Sequence, residues 1–167
     1  MNSKQVVAAI AAVILVAILV YPTVSVGTVS VSLGSIKLTK ADNVYVTIDH
    51  VWAHPASQAA GSGWVTLSNQ TMNVDLASVE NSTKSIGSGQ LTSGNYDGIR
   101  VEVTNASWVF NKTTTNLGIA TPLIDSTVDF TVGAAKSTAI VVTLTPHEEL
   151  VANSEYFTGT LTATLGA

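Results

Sequence analysis

The chain has 167 residues, 46% of them apolar and only 11% charged, with a formal net charge of −4. That length suits one domain with its own core, and so few basic residues exclude the positive stripe that nucleic-acid binding needs. There is no cysteine, which excludes thiolate catalysis, disulfides, iron–sulfur clusters and cysteine zinc sites, so an exported chain must rely on packing and assembly.

The first element is greasy. Lys4 precedes QVVAAIAAVILVAILVY, which Pro22 closes. A run of about 16 residues falls between a secretory h-region and the roughly 20 residues of a membrane span. Residues 1–26 therefore read as a signal peptide, with small residues allowing cleavage after Val26 or Gly27, or as an uncleaved anchor. Either form places the remainder outside the cell, with membrane contact only during export or through that anchor.

Residues 24–38, VSVGTVSVSLGSIKL, alternate apolar with small polar side chains, the pattern of a half-buried strand. Val24 and Val26 form one set, Val29, Val31 and Leu33 a second, and Ile36 and Leu38 a third, with Gly27 and Gly34 at the changes of register, where a bulge is tolerated. The strand can join its own sheet through the turn TKADN (39–43). It can equally be donated to a neighbour.

Further on, NVYVTIDHVWAH (43–54) predicts a long strand with Val44, Val46, Ile48, His50, Trp52 and His54 on one face. A loop, HPASQAAGSG, leads to the strand WVTLS (64–68), then to MNVDLASVE (72–80) and KSIGSGQL (84–91). Gly94 and Asn95 predict a tight turn into GIRVEVTNASWVF, the longest strand. Strands at 115–120, 123–132, 137–145 and 155–165 complete the set, with one helical turn expected in PHEELVANS (146–154). Short β-branched runs separated by turn residues define an all-β class, here a sandwich of seven or more strands spanning residues 41–167.

Little catalytic chemistry is visible. His50 and His54 would stand about 13 Å apart on a regular strand, too far for one ion, so edge-of-core histidines are expected and no metal. Ser, Asp and His lack a nucleophile elbow such as G-x-S-x-G. GSGQLTSG leads from strand to turn rather than into a helix N-terminus, which argues against a phosphate cradle. Glu148 and Glu149 read as solvated carboxylates, and Asp125 with Asp129 as a solvated pair on one strand face or a weak calcium site. Trp52, Trp64 and Trp108 read as core residues or a sugar-binding platform. The expectation is no enzyme and no cofactor. Four sequons, at Asn69, Asn81, Asn105 and Asn111, are candidate N-glycan acceptors, with Asn81 and Asn111 expected in turns.

The order of these motifs carries a resemblance. Trp64 after a strand and loop, then Asp75-Leu76, then Leu91, Gly94, Tyr96, Ile99 and Arg100 in the pattern L-x-x-G-x-Y-x-x-I-R, resemble an exported archaeal and bacterial domain of unassigned function, in which a V-x-V-H strand comes first. The likeness covers roughly residues 43–150. The G-x-Y turn is similar to that of transthyretin-like sandwiches, and the fold expected is an immunoglobulin-like or transthyretin-like sandwich. Some archaeal members resemble subunits of extracellular threads, filaments whose neighbours are joined by donated strands and coated with sugar. The resemblance implies a structural subunit of such a thread or pilus, a homopolymer serving adhesion or biofilm cohesion. Residues 27–40 would then be the donor segment, with Val26, Val29, Val31, Leu33, Ile36 and Leu38 filling the neighbour's groove. Burying those side chains would contribute on the order of 10 kcal/mol before ordering costs. The alternative is a monomeric cell-surface module, anchored or secreted, that recognises carbohydrate or protein.

Overall fold

The computed structural model describes residues 24–148 and 155–166. The leader expected in residues 1–26 falls almost wholly outside them, as does most of the helical turn expected in 146–154.

Eleven strands and one short 3-10 turn follow in chain order. They are β1 (Val26–Ser35), β2 (Asn43–Pro55), β3 (Val65–Ser68) and β4 (Met72–Asp75), the 3-10 turn Ala77–Val79, then β5 (Lys84–Thr92) and β6 (Gly94–Phe110). After these come β7 (Thr113–Ile119), β8 (Leu123–Val132), β9 (Ser137–Pro146), β10 (Tyr156–Phe157) and β11 (Gly159–Leu165). They form two facing sheets, the expected all-β sandwich. A four-stranded sheet has the order β11-β9-β1-β5. The seven-stranded sheet is built on the long pair β2 and β6. Outside that pair, β4 and β3 share the free side of β2, while β7 and β8 share that of β6, with β10 beyond β7. At the sides of the sandwich β8 approaches β11 and β3 approaches β5, so several edges that would otherwise invite foreign strands are covered.

β1 sits in the middle of its sheet. It runs antiparallel to β5 and parallel to β9. Val29, Val31 and Leu33 are fully buried, Leu38 is 8% exposed, and Ser30 and Ser32 turn outward. Two residues of the alternating set behave differently: Val26 is 38% exposed and Ile36 46%. The register change expected at Gly27 is corrected: β1 stays in step with β5 from Val26 to Val31 and shifts only between Val31 and Ser32, so Gly27 serves close approach instead. A side chain there would strike the Gly133 carbonyl and come within 2.9 Å of the Lys136 carbonyl, so only glycine lets the loop before β9 close over β1.

The expected single face of β2 is corrected. Val44, Val46 and Ile48 are buried, but the register with β6 shifts twice around Ile48 and passes over Asp49. One extra residue reverses the parity of everything after it. Val51 and Ala53 therefore enter the core, while His50 and Trp52 turn to the outer face. Trp108 stays inside at 8% exposure.

The expected tight turn at Gly94 and Asn95 is already part of β6, and Ser93 alone separates it from β5. Tyr96 fixes this corner. Its hydroxyl donates to the Thr92 carbonyl at 2.9 Å and its ring stacks on Phe130 at 5.2 Å, the tyrosine-corner device that ties a strand to the chain just before it. The tight hairpin lies instead at Asn111 and Lys112, both with positive φ between the paired Phe110 and Thr113, as a type I′ turn demands. Glu148 is not a solvated carboxylate. It accepts from the backbone of Thr39 and Lys40 and from the Thr39 hydroxyl, pinning the link between β1 and β2. Burial pushes its carboxyl up, but those donors outweigh burial and hold it below its ordinary value.

Candidate functional site

The outer faces of the two sheets differ in chemistry. On the four-stranded sheet, Thr28, Ser30 and Ser32 lie beside Ser137, Ala139 and Val141, followed by Thr162 and Thr164 of β11. On the other sheet, the second half of β2, the first half of β6 and β8 carry charge and aromatic rings in successive rows. His50 is opposite Glu102, and Glu102 opposite Leu123. Trp52 is opposite Arg100, and Arg100 opposite Asp125. His54 is opposite Gly98, and Gly98 opposite Thr127. Trp64, at the start of β3, lies across this face.

Each charged group here has a partner. Arg100 holds Asp125 with two bonds, Nε to Oδ1 at 2.6 Å and Nη2 to Oδ2 at 2.7 Å, a forked geometry stronger than a single ion pair. The same guanidinium lies 4.1 Å from the Trp64 ring centroid, a cation–π contact. Asp125 and burial act in opposite directions on Arg100, and Asp125 prevails, holding it even further above neutrality. His50 Nδ1 is 2.8 Å from Glu102 Oε2, and its ring stacks on Trp52 at 5.2 Å.

His54 is the buried member, 5% exposed. Its Nδ1 is 2.6 Å from Asp97 Oδ1 and its Nε2 is 3.2 Å from the Ala59 carbonyl. Both partners are acceptors, so both ring nitrogens are satisfied only when each carries a proton. The Asp97 hydrogen bond accordingly raises the imidazole pKa, against burial. Protonated at both nitrogens, the ring ties the loop 55–64 to β6 through these two contacts and has no lone pair left for general-base work. Trp64 completes the cover, tilted against His54 with centroids 5.0 Å apart, and its buried Nε1 finds no acceptor.

Between the loop and β8 these groups leave a cleft of about 270 Å³, lined by His54, Trp64, Asp97, Gly98, Asp125 and Thr127 among others. A larger open depression of about 790 Å³ lies at the opposite end of the long strands, beside Trp108, Phe110 and Lys40.

Sequence reasoning named His50, His54, Trp52 and Trp64 but placed three of them on the wrong face. It missed Asp97 altogether, saw Asp125 as solvated or a weak calcium ligand rather than as the partner of Arg100, and saw Arg100 only as a motif residue. The motif itself held a signal: Tyr96 and Ile99 are inward positions, which puts Arg100 outward beside Trp52. His50 and His54 do not converge, each being taken by its own carboxylate. Among the described residues no group of three or more His, Asp or Glu side chains could hold a metal ion. The four sequon asparagines are all exposed. Asn111 heads the β6–β7 hairpin and Asn81 lies in a bend, both as expected, while Asn105 is on β6 and Asn69 follows β3.

Fold and site together define a β-sandwich with one chemically specialised sheet face. Residues 26–158 match the model of a domain of unknown function, DUF4382, and the chain belongs to that family. No curated protein matches. Among solved structures, the chain is similar to a candidate cell adhesion protein from Bacteroides ovatus, at 13% identity over 86% of this chain and 44% of that one, with a TM-score of 0.28. The chain thus spans less than half of that protein's length, and so loose a superposition carries no argument.

Proposed function

We propose that the protein is a non-catalytic recognition module displayed outside the cell, which attaches through the outer face of its seven-stranded sheet. One observation carries the reading. The chain has a single arginine, three histidines and three tryptophans, and Arg100, His50, His54, Trp52 and Trp64 share this one face. Aromatic and arginine side chains presented together are typical of recognition surfaces. His54 spends both nitrogens on holding a loop, which supports binding rather than turnover. The test is retention of the full chain on intact cells and on insoluble envelope polymers. Replacing His50 and Trp52 together by alanine should weaken retention at least tenfold; unchanged retention would sink the proposal.

A second reading, a filament subunit, draws on β1. This strand is first in the sandwich yet central in its sheet, so its removal would open one groove flanked by β5 and β9. The same strand from a second copy could fill that groove with the same pairing, head to tail and without closure. Glycans on Asn69, Asn81, Asn105 and Asn111 would coat the fibre. Native protein on a denaturing gel would then give a ladder that collapses only on boiling, with a monomer mass starting near Ser25 to Thr28 plus sugar. A monomer band in both lanes would exclude this form.

A further inference from the structure

The cleft between the loop 55–64 and β8 has the volume, the polar groups and the aromatic wall of a small ligand site. We propose that it is a subsite for one ring of a neutral saccharide; this rests on the recognition reading and names its ligand class. The size comes first. At about 270 Å³ the cleft falls just below the roughly 300–1,000 Å³ of pockets for drug-sized ligands, which suits a single ring rather than a chain or a peptide.

Charge decides the class. Two carboxylates, Asp97 and Asp125, reach the cleft, with side chains 41% and 49% exposed. An anionic ligand would meet these two first. The groups facing them, His54 and Arg100, are each already engaged by one of them, so neither carboxylate is left unshared for a cation. What remains is hydrogen-bonding capacity. Asp97 uses one oxygen on His54, and its second takes no hydrogen bond among the described residues. Thr127 adds a hydroxyl, and Gln58 an amide. Such groups suit a ligand that both donates and accepts many hydrogen bonds without carrying charge. That is a polyol.

Trp64 supplies the apolar wall of the cleft, with the edge of its ring over Gly98. Gly98 keeps the floor low, since a Cβ there would stand 3.3 Å from the edge of the Trp64 ring and 3.5 Å from His54 Cβ. The ring edge, the bare backbone and the carboxylate pair thus form one small concave surface.

The Trp64 indole also provides the readout. In a proton–nitrogen NMR spectrum of the full chain, in a detergent without a sugar headgroup, Trp64 is assigned by its loss in Trp64→Phe. Glucose, galactose, mannose and N-acetylglucosamine are then titrated separately, with glucuronate and glucose 6-phosphate as charged probes. At least one neutral sugar should move the Trp64 indole signal saturably and leave that of core Trp108 in place. Thr127→Val should weaken that sugar at least threefold. No movement with any neutral sugar, or saturable binding of the charged probes alone, overturns the saccharide assignment. Retention on cells separates the levels: if it persists while the sugars fail, the recognition reading stands without this ligand, and if both fail, both fall.

Discussion

Leu33 and Ile36 belong to the same alternating stretch and are equivalent in the sequence, but the structure separates them. Leu33 is fully buried between the sheets, whereas Ile36 is 46% exposed beyond the end of β1. Leu33→Ala removes a side chain from a closed core, at a cost of about 2–5 kcal/mol including the cavity left behind. Ile36→Ala removes little buried surface and should cost below about 1 kcal/mol. With total stabilities of about 5–15 kcal/mol, the first change consumes a large share. Since about 1 kcal/mol moves Tm by roughly 2–4 °C in a chain of this size, Leu33→Ala should melt some 5–20 °C lower, and Ile36→Ala within a few degrees of the parent. The assay is urea unfolding with thermal melts of the monomeric full chain, with an unchanged m-value confirming that only stability moved. Equal costs for the two substitutions would refute the placement of β1 within its own sheet.

Three further outcomes follow from the same geometry. Gly27→Ala should cost about 1–3 kcal/mol by overpacking, because the added methyl meets the Gly133 and Lys136 carbonyls; a neutral melt would show that the loop before β9 does not close there. His54 is raised by Asp97, so its contribution is complete below the unfolded value of 6.5 and is lost as pH rises through the higher folded value. Proteolysis within 55–64 should therefore quicken with rising pH in the parent, and Asp97→Asn should abolish that dependence. Glu148 is lowered, so its contribution is present above 4.5 and is lost as pH falls through the folded value; Glu148→Gln should flatten the acid limb of the stability curve, and an unaltered limb would remove the clamp on residues 39–40.

Local rules made most of the fold legible. Alternation marked β1, β2, β6, β8 and β9, because each has one face in the core and one in solvent. Composition could not reveal a bulge. Asp49 looks like any outward polar residue, yet its insertion reversed His50 and Trp52, turning expected core-edge residues into surface ones. The site was harder still, since its partners come from four segments. Asp97 follows Tyr96 in a strand that reads as packing alone, and Asp125 gains meaning only when β8 lies beside β6. Such pairings live in register and crossover, which no single stretch encodes. Glu148 was misread for the same reason, as its partners lie about a hundred residues earlier in the chain.

The most direct measurement is hydroxyl-radical footprinting of the full chain, free and bound to intact cells. Trp52 and His50, on the proposed face, should lose most of their oxidation on binding. Phe110, at the far end of β6, and Tyr156, on the edge strand β10, are 52% and 54% exposed and should be oxidised equally in both states. Protection of Phe110 and Tyr156 with Trp52 and His50 unchanged would contradict the account.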